Sequence, residues 1–243
     1  MGGVYVLGIN ASPRNYGNAY KLLRIALEGA KSVGSEVKLV NLYEYNIKPC
    51  IGCVSDDQKA CRYPCVIDDD MRILYEEVLK ADGMIIATPV YWFNVSGVLK
   101  NFIDRLTVFE NMIVIEGRCW IEGKVAGVIA VGNDSGVIMT ISNLFATLNS
   151  MGLIIPPWAL AYINSKVDAF DNENAILDSY NLGRNVALLA KILKDYKISW
   201  YESKVDNIEK ILETIKKEVS KNYEKALKDR IPKISALKNN TSV

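Results

Sequence analysis

The chain contains no histidine among its 243 residues. Histidine is the base in Ser-His and Cys-His nucleophilic catalysis and a frequent metal ligand, so its absence excludes those catalytic arrangements and every histidine-containing metal site. The absence suits reactions in which a bound cofactor performs the chemistry, while the protein supplies binding, orientation and electrostatics.

Strong charge of one sign is also missing, because 29 lysine and arginine residues accompany 28 aspartate and glutamate residues and leave a net charge of +1. This balance offers no electrostatic case for nucleic acid or an anionic membrane as the main partner. No apolar run reaches the length of about 20 residues that a membrane-spanning helix needs. The N-terminus enters a strand pattern directly rather than a signal peptide, so we expect a cytoplasmic protein without a membrane span.

The sequence lacks both common glycine-rich nucleotide motifs, G-x-G-x-x-G and G-x-x-x-x-G-K-S/T, which disfavours Rossmann-type NAD binding and ATP binding. Internal repeats, low-complexity segments and glycine-rich linkers are absent too. With 50% hydrophobic residues, the chain can bury one substantial core. We expect one domain over residues 1–198 and a C-terminal helical extension over 199–243.

A polar loop at residues 10–18 lies between the first buried strand pattern and a helix predicted over Ala19–Lys31. The free N–H groups and the dipole of a helix N-terminus favour an anion at such a loop. Ser12 and Asn18 add side-chain donors, and Arg14 can make a forked contact with phosphate. The loop therefore predicts a monophosphate site; the alternative is an ordinary turn whose Ser, Asn and Gly residues serve as turn formers.

A second informative segment, Met84–Arg105, runs from a buried strand through Pro-Val-Tyr-Trp-Phe-Asn into an amphipathic helix. Ligands bind at the carboxyl ends of strands in an open parallel sheet. Tyr91, Trp92 and Phe93 offer flat apolar surface there, which suits a planar ring. The alternative is that these aromatic residues only cover the end of the sheet.

Four motifs belong together: Ser12-Pro13-Arg14 with Gly17-Asn18, Thr88-Pro89-Val90-Tyr91-Trp92-Phe93-Asn94, Lys100-Asn101-Phe102-Ile103-Asp104-Arg105, and Gly132-Asn133-Asp134-Ser135-Gly136. With these motifs the chain resembles the flavodoxin-like NAD(P)H-dependent FMN reductases, including their iron-sulfur flavoprotein branch. The resemblance covers the chain up to its C-terminal extension.

The resemblance implies FMN as cofactor and NAD(P)H as co-substrate, with hydride transfer performed by the cofactors and no catalytic side-chain base. It implies that the FMN phosphate is bound by Ser12, Arg14, Gly17, Asn18 and Ala19. It implies that the flavin ring is contacted by Pro89, Val90, Tyr91, Trp92, Phe93 and Asn94, and on its other side by Gly132, Asn133 and Gly136. The segment Gly132–Gly136, which we call the third loop, departs from the paired glycines frequent in the family.

The pattern of alternating apolar segments predicts a doubly wound α/β protein. Strands are expected at Val4–Ile9, Val37–Asn41, Gly83–Thr88, Val125–Val131 and Gly152–Ile155. Helices are expected at Ala19–Lys31, Asp70–Lys80, Ser96–Thr107, Gly136–Met151 and Ala175–Leu193. In a flavodoxin-like five-stranded parallel sheet of order 2-1-3-4-5, the first and third strands flank the switch point, and the two loops meet there.

Four of the five cysteines lie in one short segment: Cys50, Cys53, Cys61 and Cys65. Such a group can hold a [4Fe-4S] cluster or tetrahedral zinc, or it can remain as redox-active or uncommitted thiols. The iron-sulfur branch carries a compact cysteine motif at this place in the chain, with its third cysteine where this chain has Asp56. If a metal group binds, these four residues are the expected ligands.

Charged residues near the motifs have structural interpretations. Asp68, Asp69 and Asp70 are expected to cap the helix that follows. Asp104 and Arg105 are expected to form a surface or subunit-contact ion pair rather than to touch substrate.

The C-terminal extension predicts an amphipathic helix with an apolar stripe, which could pack on its own core or on another subunit. Its stripe comprises Ile208, Ile211, Leu212, Ile215 and Val219. Residues from about Lys238 to Val243 are expected to be disordered.

Together these observations predict a homo-oligomeric (dimeric or tetrameric) FMN-dependent oxidoreductase that takes hydride from NAD(P)H and reduces a flavin, quinone or other small acceptor. The alternative is an iron-sulfur flavoprotein that carries electrons between protein partners. A flavin-binding regulatory protein is the non-catalytic alternative.

Overall fold

The computed structural model describes residues 3–196, 198–202 and 204–239. Within it the chain forms two compact units, residues 1–201 and residues 202–243. All five strands and every predicted binding residue belong to the first unit.

The first unit is built on a five-stranded parallel sheet of order β2-β1-β3-β4-β5, so the flavodoxin-like order is confirmed. The strands are β1 Tyr5–Asn10, β2 Glu36–Asn41, β3 Gly83–Pro89, β4 Val125–Gly132 and β5 Leu160–Asn164. Asn10 at the end of β1 pairs in register with Ala87 near the end of β3. The loops after these two strands therefore begin side by side, where the strand order reverses.

Helices cover both faces of the sheet. They are α1 Asn18–Lys31, α2 Cys53–Asp56, α3 Met71–Lys80, α4 Gly97–Arg105, α5 Thr107–Glu110, α6 Met112–Glu116, α7 Val137–Ser150, α8 Glu173–Leu193 and α9 Ile208–Asn239. On one face, α1 and α8 share a core with the buried residues of the strands. On the other face, α3, α4 and α7 enclose the larger core.

The contact between α1 and α8 depends on glycine. A Cβ atom on Gly183 would collide with the Ala26 carbonyl, and one on Gly29 would collide with the Tyr180 carbonyl. These two positions let the helix backbones approach each other, which seats α1, and with it the preceding loop, against the sheet.

The predicted fifth strand was misplaced. Within Gly152–Ile155, Ile154 forms only an isolated bridge with Val125, and the proline pair that follows cannot extend a ladder because proline lacks an N–H. The strand lies instead at Leu160–Asn164, with Ala161 and Ile163 buried and their neighbours more exposed. The more exposed Leu160 and Tyr162 are as apolar as their buried neighbours, so the sequence lacks the polar–apolar alternation by which a strand is recognised.

The second unit contains α9, the amphipathic helix predicted for the extension, and its apolar stripe is exposed. Lys238 and Asn239 belong to the last turn of α9, and residues 240–243 lie outside the described residues. None of the helices in the described ranges is both long enough and apolar enough to cross a membrane.

Candidate functional site

The loop between β1 and α1 is held in shape by hydrogen bonds from its own polar side chains. The buried Asn10 amide donates to the Ser12 carbonyl (3.2 Å) and to Asn41 Oδ1 (2.9 Å), while its oxygen accepts from the Ser12 N–H (3.2 Å). Ser12 Oγ accepts from the Arg14 N–H (3.1 Å), and the Gly17 N–H donates to the Arg14 carbonyl (3.1 Å). These bonds are the side-chain turns that Asn and Ser favour, and they give the loop a closed shape.

Helix α1 begins directly after this loop. Its first backbone bond runs from the Lys21 N–H to the Gly17 carbonyl (3.0 Å), so the N–H groups of Asn18, Ala19 and Tyr20 have no intrahelical acceptor. The first turn of α1 carries no acidic residue. The free N–H groups and the helix dipole give this end of α1 a positive potential, and Arg14 lines the same cavity.

The Asn18 side chain does something the sequence did not reveal. Its Nδ2 donates to the Val167 carbonyl (2.8 Å) and its Oδ1 accepts from the Ala169 N–H (3.0 Å). The amide therefore joins the start of α1 to the loop after β5. Neither of these bonds uses the backbone N–H of Asn18, which has no intrahelical acceptor.

A cavity of about 510 Å³ opens at the carboxyl ends of β1, β3 and β4. Its volume is in the range of about 300–1,000 Å³ that is usual for small-molecule and cofactor sites. Ten of the predicted cofactor-binding residues line it: Ser12, Arg14, Gly17, Asn18, Ala19, Pro89, Val90, Tyr91, Gly132 and Asn133. The other four, which do not line it, are Trp92, Phe93, Asn94 and Gly136.

The aromatic loop is a tight turn beside this cavity. The Tyr91 N–H donates to the Asn94 carbonyl (2.8 Å), and the Asn94 N–H donates to the Tyr91 carbonyl (3.1 Å). Between them, Trp92 (φ 50°) and Phe93 (φ 64°) both adopt the left-handed conformation. For non-glycine residues this costs on the order of 1–3 kcal/mol each, and such strain clusters at functional sites. The turn holds the Trp92 side chain 94% exposed.

The third loop packs against the aromatic loop. Gly136 has φ 83°, and a Cβ atom there would lie 3.0 Å from Phe93 Cα and 3.0 Å from Val90 Cγ1. A Cβ atom on Gly132 would lie 3.0 Å from the Ser135 carbonyl. Both glycines are thus explained by backbone conformation and packing, which bring the two loops together.

Six residues in the cavity wall were missed in the sequence: Tyr16, Lys21, Val131, Ser165, Lys166 and Asp168. Lys21 forms an ion pair with Asp168 and lies 4.6 Å from the centre of the Phe170 ring. The Lys21 ammonium holds the pKa of the Asp168 carboxyl below its ordinary value. The polar residues after β5 could have indicated this part of the wall, but the fifth strand was predicted at Gly152–Ile155 instead of Leu160–Asn164.

The four clustered cysteines line a second, smaller cavity of about 60 Å³. Cys50 is exposed, Cys53 and Cys65 are half-buried, and Cys61 is buried. Burial, followed by the neighbouring thiols of Cys50, Cys53 and Cys65, raises the pKa of the Cys61 thiol to about 11. Asp56, which stands where the iron-sulfur branch has a cysteine, does not line this cavity, whereas Cys61 does.

The four cysteines share a cavity without forming a preformed site for a single ion. Among the described side chains, no three Cys, Asp or Glu residues are grouped so that they could hold one metal ion. Tetrahedral zinc would need all its thiolates about 2.3 Å from one ion, whereas a [4Fe-4S] cluster would bind each thiolate to a different iron. The donor set, four thiols around one cavity, is of the kind that binds iron-sulfur groups.

The interpretation of Arg105 as a surface or subunit-contact residue was wrong. Its side chain is 1% exposed and pairs with Asp69, whose side chain is 0% exposed, through contacts of 2.6 and 3.1 Å. The carboxylate of Asp69 also accepts from the Met71 N–H at the start of α3 (3.1 Å), so its capping role is combined with a buried ion pair. Asp104 pairs with Lys100 on the surface of α4.

Residues 4–167, more than half of the chain, match the model of a protein family described as NADPH-dependent FMN reductase. The chain belongs to this family. The predicted family resemblance is confirmed.

Several proteins similar to the chain are named iron-sulfur flavoprotein, and two of them serve as examples. One, from Archaeoglobus fulgidus, is 38% identical over 112 residues, which are 46% of this chain and 50% of that protein. The match therefore spans only half of that relative's length. The other, from Methanosarcina thermophila, is 34% identical over 154 residues, which are 62% of this chain and 75% of that protein.

A solved structure, RosB with bound 8-demethyl-8-formylriboflavin-5'-phosphate, superposes with a TM-score of 0.67. It is 18% identical and covers 89% of this chain and 88% of the RosB chain. At this identity the superposition supports the fold alone.

Proposed function

We propose that this protein is an FMN-dependent oxidoreductase that takes hydride from NADH or NADPH and reduces a flavin, quinone or other small acceptor, as a cytoplasmic homo-oligomer. The observation that carries the proposal is the cavity of about 510 Å³ at the switch point, where the start of α1 and the loops after β3 and β4 meet. Membership of the FMN reductase family supports the same reaction class.

The residues present fit FMN. The phosphate would be bound by the Ser12 hydroxyl, the Arg14 guanidinium and the N–H groups at the start of α1. The ring would lie against the wall formed by residues 89–91 and by Gly132 and Asn133. When bound, FMN supplies the chemistry of hydride acceptance and electron release.

The chain itself binds and orients the reactants. The exposed Trp92 offers a flat apolar surface to an incoming nicotinamide, and the bonded Tyr91–Asn94 turn holds it in place. No side-chain base is needed for hydride transfer, which agrees with a chain that has no histidine.

The first test is FMN binding by an Arg14→Ala variant. Removing a charge-assisted phosphate contact costs about 1.5–3 kcal/mol, so we expect FMN affinity to fall roughly 10- to 150-fold by fluorescence titration. Arg24→Ala is the matched control, because Arg24 is an exposed arginine on α1, the helix that follows the Arg14 loop, and does not line the cavity. Equal affinity of both variants would remove Arg14 from the site.

A second candidate function is favoured by the cysteines: an iron-sulfur flavoprotein that carries electrons between protein partners. All four cysteines line one cavity, and several similar proteins are named iron-sulfur flavoprotein. Anaerobic visible spectra with iron and sulfide assays on the same sample separate the two candidates. Flavin bands without iron support the reductase alone, and about four irons per chain support the cluster.

A further inference from the structure

The segment that carries the cysteines, residues 48–69, is held closed at both ends by one arginine. Arg105 Nη1 donates to the Lys48 carbonyl (3.1 Å), and Nη2 donates to the Ile67 carbonyl (3.4 Å). The same guanidinium binds Asp69, which in turn accepts from the Lys48 N–H (2.8 Å). We call this segment the cysteine loop.

Arg105 also lies in the wall of the cysteine cavity. Its Nε is buried and has no hydrogen-bond partner among the described residues, although both of its Nη atoms are engaged. Buried donors without an acceptor are rare in folded proteins, and each calls for an explanation. An acceptor supplied by a bound group in the cavity would explain this one.

The chemistry of the cavity indicates what that acceptor is. Cysteine sulfurs that bind iron are thiolates, so a group bound by four of them is anionic and rich in sulfur. Hydrogen bonds to such sulfurs stabilise the reduced state of a cluster and raise its reduction potential. Asp69 neutralises the charge of Arg105, so the arginine would act on a bound group mainly as a hydrogen-bond donor, through its Nε–H.

We propose that Arg105 is the positioning residue of the cysteine site: its Nη groups close the cysteine loop, and its Nε–H donates to a sulfur of an iron-sulfur group held by the four cysteines. The inference rests on the second candidate function. According to this proposal, the buried Asp69–Arg105 pair, which lies outside the flavin cavity, controls both the binding of the iron-sulfur group and its reduction potential.

The test compares three full-length variants with wild type after anaerobic reconstitution with equal amounts of ferrous and ferric iron and with sulfide. Arg105→Lys keeps the charge but cannot hold both loop ends and donate from Nε. Asp69→Asn keeps the arginine but removes the neutralising carboxylate. Lys100→Gln is the control, because it breaks only the surface pair on α4. Iron, sulfide and FMN per chain and the midpoint potential of the cluster are measured.

We expect Arg105→Lys to lose at least half of its iron and to show a more negative potential in the fraction that loads. Asp69→Asn leaves an uncompensated positive charge beside the cluster, so its potential shifts in the positive direction. Lys100→Gln behaves as wild type. Equal FMN content in all proteins shows that the sheet and the flavin cavity are intact.

The outcomes separate the inference from the function on which it rests. If wild-type protein takes up neither iron nor sulfide, the iron-sulfur function fails and the inference fails with it. If wild type loads but Arg105→Lys matches it in iron and potential, the inference alone is overturned. If Arg105→Lys does not fold, Asp69→Asn replaces it in the test, and an unshifted cluster potential in Asp69→Asn overturns the inference alone.

Discussion

Two polar side chains join segments that lie far apart in the sequence. The Asn18 amide bonds to two backbone groups of the loop after β5. The Arg105 guanidinium is buried against Asp69, at the end of the cysteine loop. In both cases one side chain ties two parts of the fold together, so its loss is expected to affect both.

Removing the Asn18 amide should loosen the loop after β5 without removing any N–H group from the start of α1. Two lost hydrogen bonds cost on the order of 1–3 kcal/mol in total. We expect Asn18→Ala to lower the unfolding free energy by that amount and to weaken FMN binding several-fold. Urea unfolding and FMN titration measure both, with Asn15→Ala, at an exposed loop position, as control. Identical behaviour of the two variants would contradict the structural role.

The Asp69–Arg105 pair predicts a pH dependence of stability. Burial alone would raise the pKa of Asp69, but hydrogen bonds from Arg105 and the Lys48 N–H outweigh burial and lower the pKa. A lowered folded-state pKa gives stability that is present above the unfolded value of about 3.9 and is lost as the pH falls through the folded value.

Asp69→Asn does not titrate at this position and is therefore the reference. We expect wild type to exceed it in unfolding free energy by at least about 3 kcal/mol at neutral pH, because breaking a buried pair leaves a charge uncompensated. The difference should shrink as the pH is lowered below about 4. Denaturant unfolding between pH 7 and pH 3 measures it, and a difference independent of pH would contradict the prediction.

At the scale of elements, the strained turn after β3 allows effects on stability to be measured separately from effects on the reaction. Trp92 and Trp158 are both highly exposed and both have positive φ, at 50° and 53°. Only Trp92 belongs to a turn whose Tyr91 lines the large cavity. The two tryptophans are therefore a matched pair with the same local strain and different surroundings.

We expect Trp92→Gly and Trp158→Gly each to change the unfolding free energy little, or to raise it by up to about 1 kcal/mol, because glycine adopts positive φ without strain. Only Trp92→Gly should slow the reduction of bound FMN by NAD(P)H, by several-fold or more. Stopped-flow absorbance measures this rate. Equal rates in both variants would leave Trp92 as a cover for the end of the sheet.

At the scale of the whole molecule, the chain divides into a unit that holds the cavity at the switch point and a unit built on α9. All residues that line the cavity lie at or before Asp168. The exposed apolar stripe of α9 has the character of an interaction surface.

A chain truncated after Tyr201 should therefore fold and bind FMN with unchanged stoichiometry. We expect its molar mass in solution, measured by light scattering, to be that of a smaller oligomer than the full chain, because the stripe of α9 has been removed. Loss of FMN from the truncated chain would show that the second unit contributes to the flavin site. An unchanged oligomer number would show that the first unit makes the subunit contacts.

Much of the fold was predictable, because hydrophobic periodicity and loop chemistry are local. Four strands, the helices that flank them and the two loops at the switch point were correctly predicted within a few residues. The fifth strand was missed because Leu160–Asn164 is an edge strand with little periodic signal. Because that strand was misplaced, the part of the cavity wall formed by residues 165–168 was not predicted either.

Hydrophobic periodicity was enough to predict a doubly wound α/β fold, and four motifs were enough to predict the family and, with it, the flavodoxin-like strand order. Neither signal predicted that Asn18 joins two loops, that Asp69 and Arg105 close the cysteine loop, or that four spaced cysteines share one cavity. Each of these contacts joins residues whose proximity depends on how the elements pack, and no local pattern records that packing.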